Sequence, residues 1–288
     1  MDTADLLKKV RRIEIKTKGL TQHIFAGEYH SAFKGRGMVF SEVREYQYGD
    51  DIRNIDWNVT ARFNHPYIKI FEEERELTVM LLIDVSGSRE FGSQGRLKQN
   101  LITEIAAVLS FSAITNNDKI GIIMFSDKIE KFIPPKKGRQ HILRIIRELI
   151  EFKPQNKGTD IGSALQYLTN VIKKRSTAFL ISDLMDEGYE DALKITSKKH
   201  DLIALRIFDL REVELPNVGL IHMKDAETGR LAWVDSSDKY VRKHYNDYWS
   251  KKTMQTNEIL NKYGVDYANI ATHLDYVKPL MELFKKRS

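Results

Sequence analysis

The chain has 288 residues and no cysteine, and its 46 basic and 40 acidic side chains give it a net charge of +6. This length suffices for one large domain or two small ones with a buried core. The lack of cysteine excludes disulfides, thiolate metal sites and thiol nucleophiles, and it fits a reducing compartment. The modest basic excess is most simply a solvated surface of mixed sign, so we expect no nucleic-acid partner.

The amino terminus shows no export signal. Charged side chains interrupt the apolar residues among the first twenty positions, so the continuous apolar region of a signal peptide is missing. The longest apolar stretches, such as residues 105–114, are far shorter than the roughly 20 residues that span a bilayer. We therefore expect a soluble, cytoplasmic protein without a transmembrane segment.

The part of the chain before residue 77 combines a helix with an extension. Apolar residues at helical spacing near the amino terminus predict an amphipathic helix that packs on the main body. Residues 35–76 mix charged with aromatic side chains between several glycines, which predicts an irregular or strand-rich extension. We therefore expect an N-terminal extension over residues 1–76 and a main domain over residues 77–288.

From residue 77 onward, short apolar runs alternate with segments of helical periodicity. The apolar runs of strand length are residues 78–83, 119–125, 177–181, 202–208 and 265–270. Strands separated by helices predict an α/β fold with a doubly wound, mostly parallel sheet and helices on both faces. Residues 209–237 interrupt this order with two strands and a turn at 226–229, which predicts a β-hairpin insertion.

Three predicted strand or loop ends carry oxygen side chains. Asp84 ends the first strand and is followed by Ser86 and Ser88, Thr159 lies in a Gly-Thr-Asp sequence before a helix, and Asp183 follows a later strand. Because the carboxyl ends of parallel strands meet at one edge, we expect these side chains to lie together. Taken singly, Asp84, Ser86 and Thr159 are better explained as helix caps, but the three fragments in this order favour a site for Mg²⁺, which prefers oxygen ligands.

This pattern resembles the metal-ion-dependent adhesion site of von Willebrand factor A domains. The resemblance implies that Ser86 and Ser88 bind Mg²⁺ directly, with Mn²⁺ or Ca²⁺ as alternative ions. It also implies that Asp84 and Asp183 act through bound water and that Thr159 joins when ligand binds. The ligand would be an acidic side chain of a partner protein, because neutral hydroxyls leave the ion positively charged.

The preceding charged segment, with "GRGMVFSEVREYQYGDD" and "FEEERELTVMLLIDVSGS", resembles a bacterial domain-of-unknown-function family, number fifty-eight (DUF58). The likeness runs from about Gly27 to Ser88. Members of that family resemble partners of MoxR-type AAA+ ATPases. The resemblance therefore implies an adaptor or co-chaperone that works with such an ATPase in protein assembly or maturation.

Four further residues are candidates for partner binding. Arg89 follows Ser88 where similar sequences place an apolar residue, and its charge would either assist carboxylate capture or weaken cation binding. The others are Asp160, Arg44 and Arg53. The segment around Arg44 and Arg53 is also explained by local ion pairs and by a minor aromatic core of Trp57, Tyr46 and Tyr48, so both interpretations stay open.

The main alternative is a magnesium-dependent phosphohydrolase of the haloacid dehalogenase type, in which Asp84 would be the nucleophile. That chemistry needs a second Asp two residues later to transfer a proton, but Ser86 stands there. The chain also lacks the glycine-rich phosphate-binding motifs and the Gly-x-Ser-x-Gly motif of serine hydrolases. We therefore expect a protein that is not an enzyme.

Overall fold

The computed structural model describes residues 3–20, 29, 32, 39–72, 77–93, 97–224, 229 and 231–287. The chain separates into two compact units, one formed by residues 1–33 and 77–288 and the other by residues 34–76. The division differs from the expected one, which grouped the first helix with the extension. The helix belongs to the larger unit.

The helices and strands follow one another along the chain with short connections. The helices are α1 (Thr3–Leu20), α2 (Trp57–Phe63), α3 (Lys98–Thr115), α4 (Arg139–Glu151), α5 (Ile161–Val171), α6 (Glu190–Lys199), α7 (Leu210–Val213), α8 (Lys239–Lys262) and α9 (Val277–Arg287). The strands are β1 (Val39–Glu45), β2 (Tyr67–Glu72), β3 (Thr78–Asp84), β4 (Lys119–Phe125), β5 (Ile129–Lys136), β6 (Thr177–Ser182), β7 (Asp201–Phe208), β8 (Leu220–Lys224), β9 (Leu231–Asp235) and β10 (Asp266–Ala271). In the described ranges, every helix is too short or too polar to cross a membrane.

The larger unit is built on a six-stranded sheet in the order β10-β7-β6-β3-β4-β5. Neighbouring strands are parallel except β4 and β5, which are antiparallel. This confirms the predicted doubly wound, mostly parallel α/β fold. The chain passes from β3 to β4 on one side and returns to β6 on the other, so the winding reverses at β3. Ligands of such sheets bind at the carboxyl ends of the strands beside this reversal.

Both faces of the sheet are buried, as nearly continuous apolar strands require. In β3 the side chains of Val79, Leu81 and Ile83 face a cluster formed with α1, α3, α4 and α9. The intervening Met80 and Leu82 face a second cluster formed with α5, α6 and the end of α8. The sheet is therefore a rigid base for the loops at its edge.

Helix α1 packs on the larger unit, as its apolar spacing predicts. Val10 and Ile13 are buried in the first of the two clusters. The Glu14 carboxylate accepts a hydrogen bond from Arg139 Nε of α4 at 2.5 Å. Apolar burial and this ion pair explain why the first helix does not group with the extension.

The hairpin expected within residues 209–237 is present as the antiparallel pair β8 and β9, but its expected turn at 226–229 lies outside the described residues except for Gly229. Helix α6 begins at Glu190. Gly188 precedes it with a φ of +78°, a left-handed conformation that a continuous helix does not allow.

The smaller unit consists of the antiparallel strands β1 and β2 with α2 between them in sequence. Asp56 caps α2 by accepting hydrogen bonds from the N–H groups of Asn58 and Val59 at 3.0 and 3.2 Å. Trp57 and Tyr48 are exposed, so these two side chains do not form the minor aromatic core considered above.

A histidine is completely buried at the end of α6. The His200 Nδ1 shares a hydrogen bond with the Ser176 hydroxyl at 2.9 Å, and its Nε2 has no hydrogen-bond partner among the described residues. Burial, helped by the positive charges of Lys199 and Arg175, lowers the pKa of His200 to about 4. The folded protein therefore holds this imidazole in its neutral form at physiological pH.

We predict that stability falls as the pH drops from about 6.5 toward 4, because His200 takes up a proton more readily in the unfolded chain than in the folded one. Between pH 7 and pH 5, a His200→Asn variant should lose about 1–2 kcal/mol less unfolding free energy than the unaltered protein. Urea unfolding followed by circular dichroism at both pH values measures this difference. Equal losses in the two proteins would contradict the prediction.

Candidate metal site

The carboxyl ends of β3 and β6 lie side by side where the winding reverses. Asp84 ends β3, Asp183 directly follows β6, and the two strands pair in parallel. The Ser182 hydroxyl at the end of β6 donates a hydrogen bond to Asp84 Oδ2 at 2.7 Å. Burial of Asp84, which is 3% exposed, and the nearby charge of Asp183 raise the pKa of Asp84 to about 6. A buried carboxylate in this position favours a cation beside it.

The turn after Asp84 presents two hydroxyl groups together. The Ser86 N–H donates to Asp84 Oδ1 at 2.9 Å, and a short 3₁₀ helix over Gly87–Glu90 follows. The hydroxyl oxygens of Ser86 and Ser88 are 3.2 Å apart. Adjacent ligands of an octahedral magnesium ion, each about 2.1 Å from the metal, are separated by about 3 Å. The two hydroxyls therefore fit neighbouring ligand positions of one such ion.

Backbone hydrogen bonds attach the loop of Thr159 to the same edge. The Gly87 N–H donates to the Lys157 carbonyl at 3.0 Å, and the Asp160 N–H donates to the Ser126 carbonyl at 2.8 Å. Thr159 lies between these two anchors and is half-buried. The loops that carry all five predicted metal residues thus meet at one edge of the sheet. Their binding of a metal remains a prediction.

The donor chemistry of this edge is dominated by hydroxyls. Within the described ranges, no group of three or more His, Asp or Glu side chains is arranged to hold a metal ion. A cation here would depend on the hydroxyls of Ser86, Ser88 and Thr159 in addition to the two carboxylates. Such a set suits a hard cation that keeps some of its water, and it lacks the nitrogen and sulfur ligands typical of structural zinc.

The turn that carries Asp183 has an unusual backbone. Leu184 is buried and has a φ of +58°, a left-handed conformation that is rare for leucine. Its N–H donates to the Ser182 hydroxyl at 3.1 Å, and the Met185 N–H donates to Asp183 Oδ1 at 3.4 Å. Strained residues of this kind occur often at functional sites. Here the strained turn holds the backbone that follows Asp183 against the end of β6.

Two buried cations adjoin Asp183, and sequence analysis did not identify either. The Lys98 ammonium lies 3.3 Å from Asp183 Oδ2 and 2.6 Å from Glu212 Oε1. Burial lowers the pKa of Lys98, but the two carboxylates outweigh this effect and hold it above its usual value. Arg206 Nε donates to the Asp183 backbone carbonyl at 3.3 Å. The sequence nevertheless contains a sign that both are buried, because Lys98 shares a helix face with apolar residues and Arg206 interrupts an apolar strand.

Asp209 directly follows β7. It anchors the segment after the turn that carries Ser86 and Ser88, which we call the serine turn. It accepts hydrogen bonds from the N–H and the hydroxyl of Ser93 at 2.9 and 2.6 Å, and from the Thr272 hydroxyl at 2.5 Å. Burial raises the pKa of Asp209, but these bonds and one from the Arg211 N–H outweigh burial and lower the pKa to about 2. This anchor was also not identified from the sequence.

Two of the predicted partner-binding residues have structural contacts in the larger unit. Arg89 is 5% exposed and donates a hydrogen bond to the Phe152 carbonyl at the end of α4, so its charge is turned into the protein. The Asp160 carboxylate caps α5 by accepting hydrogen bonds from the Ser163 N–H at 2.7 Å and the Ser163 hydroxyl at 2.6 Å. These contacts explain both side chains without a partner protein.

The other two predicted partner-binding residues lie in the smaller unit. The Arg44 guanidinium makes two hydrogen bonds to the Asp50 carboxylate at 2.9 and 2.8 Å, which is the local ion pairing considered above. The Arg53 side chain is 89% exposed and lies 3.8 Å from Asp51. Arg53 is therefore the one of these two that is accessible to a partner.

We predict that Asp84→Asn stabilises the metal-free protein at pH 7.5. The unaltered site holds a buried charge beside Asp183, at a cost of about 1–3 kcal/mol, whereas Asn keeps the size and one oxygen for the Ser86 N–H. In the presence of a chelator, the variant should melt a few degrees higher in a thermal unfolding scan. Added Mg²⁺ should raise the Tm of the unaltered protein only. A lower Tm for the variant in chelator would contradict the prediction.

Comparison with known proteins places the chain in a family. A family profile for proteins of unknown function, DUF58, matches residues 42–255. The uncharacterized protein Mb1516 of Mycobacterium bovis is 30% identical over 232 residues, which cover 80% of this chain and 73% of that protein.

Solved structures show a similar fold. The conserved hypothetical protein BatB from Bacteroides thetaiotaomicron has a TM-score of 0.51 at 16% identity, covering 73% of this chain and 98% of that one. The SpRpn10 VWA domain has a TM-score of 0.41 at 12% identity, covering 73% and 95% of the two chains. The mostly parallel α/β fold is similar to that of BatB, and the chain belongs to the DUF58 family of proteins of unknown function.

Proposed function

We propose that this protein is a non-enzymatic interaction module that binds Mg²⁺ and uses the ion to capture a carboxylate of a partner protein. The observation that carries the proposal is the 3.2 Å separation of the Ser86 and Ser88 hydroxyls beside the buried carboxylate of Asp84. Thr159 would contribute a third hydroxyl. Mn²⁺ and Ca²⁺ are alternative ions, since both also prefer oxygen ligands.

The hydrogen bonds of Asp84 support a division of roles among the ligands. One carboxylate oxygen accepts from the Ser86 N–H and the other from the Ser182 hydroxyl, so both are already engaged with the protein. This arrangement favours contact between Asp84 and the ion through a bound water. The serine hydroxyls would then bind the metal directly, and their neutrality leaves the ion with positive charge to attract an acidic side chain.

We further propose that the protein works in the cytoplasm as an adaptor or co-chaperone with a MoxR-type AAA+ ATPase. The ATPase, or a protein that it assembles or matures, would supply the acidic side chain. The resemblance of residues 27–88 to proteins of that kind supports this partner. The absence of cysteine suits a reducing compartment.

The geometry of the site disfavours the phosphohydrolase alternative. A nucleophilic carboxylate must reach a phosphorus atom, but Asp84 is 3% exposed and both of its oxygens accept hydrogen bonds. The residue two positions later, Ser86, is completely buried, and a hydroxyl of ordinary acidity is a poor general acid. We therefore propose an ion that captures a ligand and does not cleave it.

We predict that Ser88→Ala removes Mg²⁺ binding, because it deletes one direct ligand without introducing charge. Isothermal titration with Mg²⁺ measures binding, and a pull-down with a purified MoxR-type ATPase measures capture in Mg²⁺ and in chelator. Ser197→Ala is the matched control. Ser197 is a half-buried serine on α6 whose hydroxyl donates to the Lys194 carbonyl, and this variant should bind like the unaltered protein.

Three results would contradict the proposal in different ways. Absence of Mg²⁺ binding by the unaltered protein would refute the metal site. Capture that survives both chelation and Ser88→Ala would show that the partner does not use the ion. Phosphatase turnover that Asp84→Ala abolishes would favour the phosphohydrolase instead.

A further inference from the structure

Lys98 is placed between the candidate metal site and α7, the short helix after β7. Lys98 is the first residue of α3 and is 2% exposed. Its ammonium contacts Asp183 Oδ2 at 3.3 Å and Glu212 Oε1 at 2.6 Å. A buried ammonium is unfavourable unless it is paired and hydrogen-bonded, so these two carboxylates are what hold it there.

Glu212 is a fixed partner for Lys98. Its second carboxylate oxygen accepts the Asp209 N–H at 2.9 Å, and its backbone carbonyl accepts the Tyr245 hydroxyl at 2.8 Å. The shorter of the two Lys98 contacts is the one to Glu212. Lys98 can therefore keep one carboxylate partner if Asp183 turns to another cation.

The charges around Asp183 nearly cancel. Asp84, Asp183 and Glu212 supply three carboxylates, whereas Lys98 and Arg206 supply two buried cations. With all five groups ionised, one negative charge remains. A divalent cation at the serine turn would change this balance to one positive charge, which a single carboxylate from a partner would neutralise.

We propose that Lys98 is a resident counter-cation of the site, which competes with the divalent ion for Asp183 and thereby sets the affinity for metal. This inference rests on the proposed metal binding at Ser86 and Ser88. In the metal-free protein, Lys98 neutralises Asp183 and allows the site to stay folded without an ion. If an ion were bound, Asp183 would face it, and Glu212 would keep its contact with Lys98. Lys98 is thus a positioning residue. Its charge weakens the binding of the ion, so tight metal binding requires the additional carboxylate of the partner.

The inference predicts shifts in opposite directions for the two members of one ion pair. Lys98→Met removes the competing charge, so Mn²⁺ should bind at least about tenfold more tightly. Glu212→Gln keeps the size of the side chain and one oxygen for the Asp209 N–H, but it leaves Asp183 as the carboxylate that pairs with Lys98. Mn²⁺ should therefore bind about tenfold more weakly. The measurement is Mn²⁺ binding to the full chain by electron paramagnetic resonance, with displacement by Mg²⁺ and without any partner protein.

A second lysine supplies the matched control. Lys286 lies 3.3 Å from Asp266, which begins β10 at the opposite edge of the sheet. Lys286→Met changes the net charge as Lys98→Met does, and it should leave Mn²⁺ affinity within about twofold of the unaltered protein. A thermal unfolding scan of each variant shows whether it is folded. If Lys98→Met does not fold, the direction of the Glu212→Gln shift decides the question.

The outcomes separate this inference from the proposed metal binding. If the unaltered protein binds Mn²⁺ and both variants match the control, or shift in the same direction, the role of Lys98 is overturned and the metal site stands. If neither the unaltered protein nor Lys98→Met binds Mn²⁺, the metal site itself is refuted, and the inference with it. Binding of Mn²⁺ by the Lys98→Met variant but not by the unaltered protein would support the inference, because it would show that the Lys98 ammonium prevents the ion from binding.

Discussion

The carboxylate of Asp84 lies where the parallel sheet reverses its winding, and the rest of the site is arranged around it. One oxygen holds the turn to Ser86, and the other receives the hydroxyl of Ser182 from the neighbouring strand. A single side chain therefore connects β3, the serine turn and the end of β6. Because it is buried, its negative charge is costly unless positive charge lies near, and this constraint shapes the surrounding residues.

The surrounding residues meet this constraint only in part, because a second carboxylate adds to the negative charge before two cations offset it. Asp183 stands beside Asp84, Lys98 and Arg206 adjoin Asp183, and Glu212 holds Lys98. In such a network each group is stabilised by neighbours from different elements, so a change at one position alters the balance at the others. In our proposal, either the ammonium of Lys98 or a metal ion would neutralise Asp183. Metal affinity would then depend on Lys98 and on its partner Glu212 in α7.

The neutral hydroxyls of the proposed ligands favour a site that binds a partner over a catalytic site. Serine and threonine oxygens add no negative charge, so an ion held by Ser86, Ser88 and Thr159 stays electrophilic toward an outside carboxylate. The Asp84 carboxylate accepts hydrogen bonds at both oxygens and has little exposed surface, which suits a structural role better than attack on a substrate. The chemistry and the geometry therefore support the proposed binding function over the phosphohydrolase alternative.

The sequence by itself determined the order of strands and helices in the main domain and the positions of the candidate oxygen ligands. Strands buried on both faces are nearly continuous apolar runs, so periodicity located them, and the residue after an apolar strand lies at its carboxyl end. Asp84 and Asp183 were located in this way. Thr159 was located by its Gly-Thr-Asp sequence before a helix.

Only the tertiary structure decided which charged side chains are buried. A lysine or arginine in a sequence is expected at the surface, and Lys98 is buried because the carboxylates of Asp183 and Glu212 reach it from distant parts of the chain. Arg89 is turned inward because the end of α4 offers it the Phe152 carbonyl, and α1 joins the larger unit partly through the pair of Glu14 with Arg139. Periodicity reports the burial of apolar residues near one another in sequence. Pairing between charges far apart in the chain depends on topology, which no local pattern contains.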